Sequence, residues 1–121
     1  MKKLSEGELW DRVRGLEGKT IETIRYHEPV KITQVTHTTV GGFNLKRKKS
    51  RSANFDEVYG VYSFLFREKR ITSDERGLVP GHPKHRGNGF YILAVLAEAI
   101  SDQAKIIQKG KAGLKMCSCT A

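Results

Sequence analysis

The sequence predicts an α+β domain: an N-terminal helix, a three-stranded antiparallel sheet, then two main helices packed on the sheet's apolar face. Three observations carry this. Residues 20–47 are rich in β-branched residues and largely alternate apolar with polar. The stretches on either side repeat apolar residues at helical spacing instead. Between the second and third helical stretches, Gly77, Pro80, Gly81, Pro83, Gly87 and Gly89 forbid a long element.

The first helix is expected from Ser5 to Leu16. Leu4, Leu9, Trp10, Val13 and Leu16 lie at helical offsets, and Ser5 with Glu8 has capping-box form. Gly18 is available for a left-handed stop, and Trp10 reads as a core or interface anchor.

Three strands follow. Thr20–Tyr26 comes first and is broken at His27-Glu28-Pro29, because proline cannot donate to a ladder. Val30–Thr36 is second, and a turn around His37 to Gly42 leads to Phe43–Arg47. Val30 and Ile32 alternate with Lys31, as Phe43 and Leu45 do with Asn44 and Lys46, which places the named apolar residues on one face. Ile21 to Ile24 breaks the alternation, so register is not readable there.

The second main helix is the strongest periodic signal. Phe55, Val58, Tyr59, Tyr62, Leu65 and Phe66 form one apolar stripe, with Asn54 and Glu57 as cap and Arg67, Lys69 and Arg70 toward the C-terminal end. The third is expected to begin near Asn88 or Phe90, with Phe90, Leu93, Ala94, Ala97, Ile100, Ala104 and Ile107 on its face and Lys105, Lys109 and Gly110 marking its end. Residues 1–110 would then form a single domain and residues 111–121 a flexible C-terminal tail. Helix, short turn element and long helix together have a winged-helix-like outline, although 71–89 is a long connection for that motif.

Charge is the most informative bulk property. Against 13 Asp+Glu stand 22 Lys+Arg in 121 residues, a formal net charge of +9. On so small a body that field attracts polyanions, nucleic acid first among them. No apolar run approaches the roughly 20 residues that span a bilayer, and no apolar stretch follows the N-terminus as a signal peptide requires. A cytoplasmic setting with no membrane partner is the expectation.

Two segments are candidates for the contact. Lys46-Arg47-Lys48-Lys49-Ser50-Arg51 places five cations in six residues between a strand and a helix. On extended chain, successive side chains stand about 3.3 Å apart along the axis, so the segment can meet several phosphates. The second is the loop His82-Pro83-Lys84-His85-Arg86-Gly87-Asn88-Gly89. It delivers Lys84, Arg86 and Asn88 to the start of a helix, where backbone amides favour anions and where Asn and Arg suit base edges.

Catalytic signatures are missing. There is no phosphate-binding loop with its Lys-Ser/Thr, no nucleophile elbow and no His-Glu-x-x-His, and Glu22, Glu28, Asp56, Glu57, Asp74 and Glu75 suggest no metal-nuclease set. An enzyme is therefore not expected. The residual enzymatic reading is a metal-independent nuclease with His82 or His85 as acid/base and Arg86 as phosphate clamp. His82, His85, Cys117 and Cys119 could formally ligate zinc, but a finger orders its cysteines first and uses longer spacings. The cysteines read as reduced thiols on the tail, and no cofactor or metal is expected.

The sequence thus points to a nucleic-acid-binding module, DNA ahead of RNA, with a homodimer compatible but not required. The alternative is a small phage- or defence-related inhibitor that binds an acidic or nucleic-acid-handling protein.

Overall fold

A computed structural model describes residues 2–24, 26–72, 89–107 and 113–117. The chain is mixed α+β, with three helices, a four-stranded antiparallel sheet and a smaller three-stranded sheet among the described residues.

Helix α1 (Glu6–Arg14) begins on the expected capping box: the Glu8 amide donates to Ser5 Oγ at 3.2 Å and the Ser5 amide to Glu8 Oε1 at 2.9 Å. It buries Leu9, Trp10 and Val13. Trp10 is a core anchor; its indole donates to the Thr36 carbonyl at 2.8 Å and its ring meets Phe55 edge-on. Gly18 does take a left-handed conformation, φ +86°, but in the turn after the helix has ended.

The first sheet is a meander of β1 (Thr20–Glu22), β2 (Pro29–Val35), β3 (Thr39–Asn44) and β4 (Lys49–Asn54), in that spatial order. The expected three strands are therefore four. The basic run, expected between a strand and a helix, turns at residues 45–48 and returns along β3 as an edge strand. Lys-Ser-Arg-Ser-Ala-Asn has little strand propensity, and polar edge strands of this kind discourage unwanted pairing. The faces of β3 are also the reverse of expectation. Val30 pairs with Asn44 and Ile32 with Gly42, so Val40, Gly42 and Asn44 face inward. Phe43 turns to the other face, and Leu45 sits exposed in the turn. A one-residue register shift moves every side chain to the opposite face.

Helix α2 (Phe55–Glu68) follows β4 directly, capped by Asn54 and Glu57 as expected. Val58, Val61, Tyr62 and Leu65 are buried, while Phe55, Tyr59 and Phe66 pack on the core's margin. β5 (Arg70–Thr72) comes next, and α3 (Gly89–Ala99) is the central helix. Tyr91 to Leu96 are all buried, not one stripe only, because α3 packs against α1, α2, β1 and the second sheet.

α3 ends eight residues before Ile107. Arg12 donates to the Ala99 carbonyl and pairs with Asp102, satisfying the helix end and starting a turn. Residues expected in the last helical turns instead form β6 (Ala104–Ile107). β7 (Gly113–Met116) lies in the stretch expected as a tail; it is the middle strand of the second sheet, order β5-β7-β6, and buries Leu114 completely. The link that a helix-turn-helix would need, residues 73–88, lies outside the described residues, so the winged-helix-like outline remains an expectation.

Candidate nucleic-acid interface

The turn between β3 and β4 is built around Asn44. Buried at the end of β3, its Oδ1 accepts from the amides of Lys46 at 3.0 Å and Arg47 at 2.9 Å, an Asx-type turn. The Lys48 amide closes the turn onto the Asn44 carbonyl at 2.7 Å, with Lys48 in the left-handed region at φ 54°. Leu45 donates to the Pro29 carbonyl at 2.9 Å, which ties the turn to β2.

A buried carboxylate completes the brace. Glu28, 5% exposed, accepts from Asn44 Nδ2 at 3.1 Å and from Arg47 Nε at 2.8 Å on each oxygen. Its amide donates to Thr23 Oγ1 and its carbonyl accepts from the Thr23 amide, fixing the loop that carries it. The Arg47 bond holds the Glu28 carboxyl below the usual carboxylate range; burial opposes this and Asn44 assists it. The Arg47 guanidinium lies 6.0 Å from the Tyr26 ring.

The five cations of the run therefore divide into two kinds. Arg47 is committed to Glu28 and positions the turn. Lys46, Lys48 and Lys49 are exposed and Arg51 is half-buried, and the side chains of these four make no ion pair with another described residue. Strand alternation puts Lys49 and Arg51 on the same face as Gly42 and Asn44. Arg51, Arg47, Tyr26, Glu28, Asn44 and Tyr91 line a depression of about 190 Å³ beneath the turn.

Of the second candidate segment, Lys84, Arg86 and Asn88 lie outside the described residues, as do His82, His85 and Cys119. Cys117 is half-buried and its amide donates to the Gln103 carbonyl. Among the described residues no group of three or more His, Cys, Asp and Glu is placed to hold a metal. No described helix is long and apolar enough to cross a membrane.

Sequence reasoning found the cations and missed what holds them. Asn44 next to a cation-rich turn was a readable signal, since Asn forms Asx turns. Nothing in the sequence marked Glu28, nineteen positions upstream, as the partner of Arg47.

The chain matches no known family model, no curated protein and no solved structure.

Proposed function

We propose that this protein binds nucleic acid, double-stranded DNA ahead of RNA, with the β3–β4 turn as principal contact. The observation that carries the reading is the placement of Lys46 and Lys48 on the turn and of Lys49 and Arg51 at the start of β4, without acidic partners among the described residues, where Glu28, Arg47 and Asn44 brace the turn. A braced cationic turn has little conformational freedom left to lose when it meets phosphates. Duplex DNA is favoured because a two-stranded β-ribbon fits the major groove of B-DNA, whereas that of A-form RNA is too narrow for side-chain entry. The +9 net charge adds long-range attraction to the same target.

A second reading keeps the cations and changes the partner. Leu45 is 46% exposed at the turn and Tyr26 52% exposed beside Arg47, an apolar element that suits an acidic protein surface. The protein would then act as an inhibitor of that partner.

Fluorescence anisotropy with labelled duplex, single-stranded DNA and RNA across a salt series tests the first reading. The comparison variant replaces Lys46, Lys48, Lys49 and Arg51 by Ala and keeps Arg47, whose loss would disturb the turn. Four phosphate contacts give a log–log salt slope near −3.6, or about 150-fold weaker binding from 50 to 200 mM salt. That slope should flatten in the variant. Absence of binding at low salt would discard the reading in favour of a protein partner.

A further inference from the structure

The second sheet carries its own row of cations. Arg70 on β5 pairs with Lys115 on β7, and Lys115 pairs with Lys105 on β6, so the three stand side by side across all three strands. All three are exposed, while Ile71 and Leu114, the next residues along β5 and β7, turn into the core. None of the three forms an ion pair with another described residue. Glu68 is nearby, but its carboxylate accepts from Arg67 Nε at 3.4 Å.

Packing gives no reason for this arrangement. Like charges directly opposite on neighbouring strands repel, and the fold needs only residues that pair and stay solvated at these positions. Adjacent strands lie about 4.8 Å apart, so the row spans roughly 10 Å. A nucleic-acid strand presents one charge about every 3.4 Å of axis along a winding path, so a line of that length can face more than one phosphate. A free phosphate could engage only part of it. The three cations themselves line a concavity of about 610 Å³, together with Glu68, Lys69 and Met116.

We infer that Arg70, Lys115 and Lys105 form a second contact to the phosphodiester backbone of a bound nucleic acid, on a different sheet from the β3–β4 turn. This rests on the nucleic-acid reading above and adds a site to it. The turn and the row would grip separate stretches of backbone, and their contributions to the salt dependence would add.

The test compares three full-length proteins on one labelled duplex across a salt series: the parent, the turn variant with Lys46, Lys48, Lys49 and Arg51 changed to Ala, and a row variant with Arg70, Lys105 and Lys115 changed to Gln. Each contact removed lowers the slope by about 0.9, so the row variant should lose between two and three units of slope. The single change Lys115→Gln should lose about one unit, and it serves if the triple variant folds poorly by circular dichroism. If the row variants keep the parent's slope while the turn variant loses it, the second contact is wrong and the proposed function stands. If the parent does not bind the duplex, both fall. If the row variants lose affinity for polyglutamate while duplex binding is unchanged, the row serves an acidic protein and the inference is overturned.

Discussion

Arg47 donates through Nε to both carboxylate oxygens of Glu28, each at 2.8 Å, so a residue of the basic run is spent on holding its own turn. The pair predicts a pH dependence. The folded-state pKa of Glu28 is lowered, so its contribution is present above the unfolded carboxylate value of about 4.3 and is lost as pH falls through the folded value. Asp102, lowered by Arg12, and Glu8, lowered by Ser5, act in the same direction. Glu28→Gln should therefore melt below the parent at neutral pH and show a shallower, but not flat, decline toward acid. Thermal melts at several pH values measure this. Equal acid slopes in the two proteins would mean that the ion pair contributes nothing.

Lys48 and Arg47 are neighbours with opposite expected phenotypes. Lys48 occupies a left-handed conformation that glycine adopts freely, so Lys48→Gly removes a cation and relieves strain together. Its stability should hold or rise by up to about 1 kcal/mol, while the duplex-binding salt slope falls by about 0.9. Arg47→Ala should instead lower the melting temperature, because Glu28 is left buried without its cation. Measuring both melting and binding on both variants separates positioning from contact. Unchanged affinity in Lys48→Gly would remove that lysine from the interface.

Gly42 on β3 lies against Tyr91 of α3. A Cβ there would stand 3.1 Å from Tyr91 Cε1, 3.1 Å from Val30 Cγ1 and 3.2 Å from the Lys31 carbonyl. One of those contacts is backbone, so side-chain adjustment alone cannot relieve the crowding. Gly42→Ala should cost about 1–3 kcal/mol in chemical denaturation. The loss would also disturb the Tyr91 hydroxyl, which donates to the Val40 carbonyl at 2.9 Å.

The parts of the fold that could be read from the sequence were those with strong local signals. Ser5 with Glu8 and Asn54 with Glu57 both form the capping boxes their spacing implies, and Val58, Tyr62 and Leu65 of the α2 stripe are buried, while Phe55, Tyr59 and Phe66 lie at the core's margin and Val61 joins the core. The parts that could not be read were decided by distant partners. β4 consists of Lys, Ser, Arg, Ser, Ala and Asn, which have no strand signature until β3 offers them a ladder. Ala104 to Ile107 continue the helical period of α3, yet Arg12 and Asp102 end that helix and the segment pairs with β7. At the candidate site the cations were legible as composition. Their division into one structural arginine and four charges without an acidic partner among the described residues was not, because Glu28 and Asn44 meet Arg47 only in three dimensions.

Tyr62 joins the N-terminus to the segment after α3. Its hydroxyl accepts from the Leu4 amide at 2.8 Å and donates to Gln103 Oε1 at 2.9 Å, while Gln103 Nε2 donates to the Lys2 carbonyl at 3.1 Å. Tyr62→Phe leaves the Leu4 amide and the Gln103 oxygen without that partner in a buried setting. The expected cost is about 1–3 kcal/mol, read by urea denaturation, with faster hydrogen exchange at Leu4. A cost near zero would show that water replaces the hydroxyl there.

The cation row on the second sheet makes a prediction about stability that needs no ligand. Lys115 sits between Arg70 and Lys105 and faces a like charge on both sides. Lys115→Thr removes both repulsions and places a β-branched residue at an exposed position of a central strand. The variant should be more stable by about 0.5 kcal/mol at low ionic strength. Salt screens exposed charges, so the gain should shrink as ionic strength rises toward 1 M, where the Debye length is about 3 Å. Urea denaturation of both proteins at low and high salt measures this. A gain independent of salt would trace to strand propensity alone and would mean that the three cations do not strain the free protein. A gain that disappears with salt would show that the sheet maintains an unfavourable charge row in the absence of an anion, which is the behaviour expected of a surface kept for one.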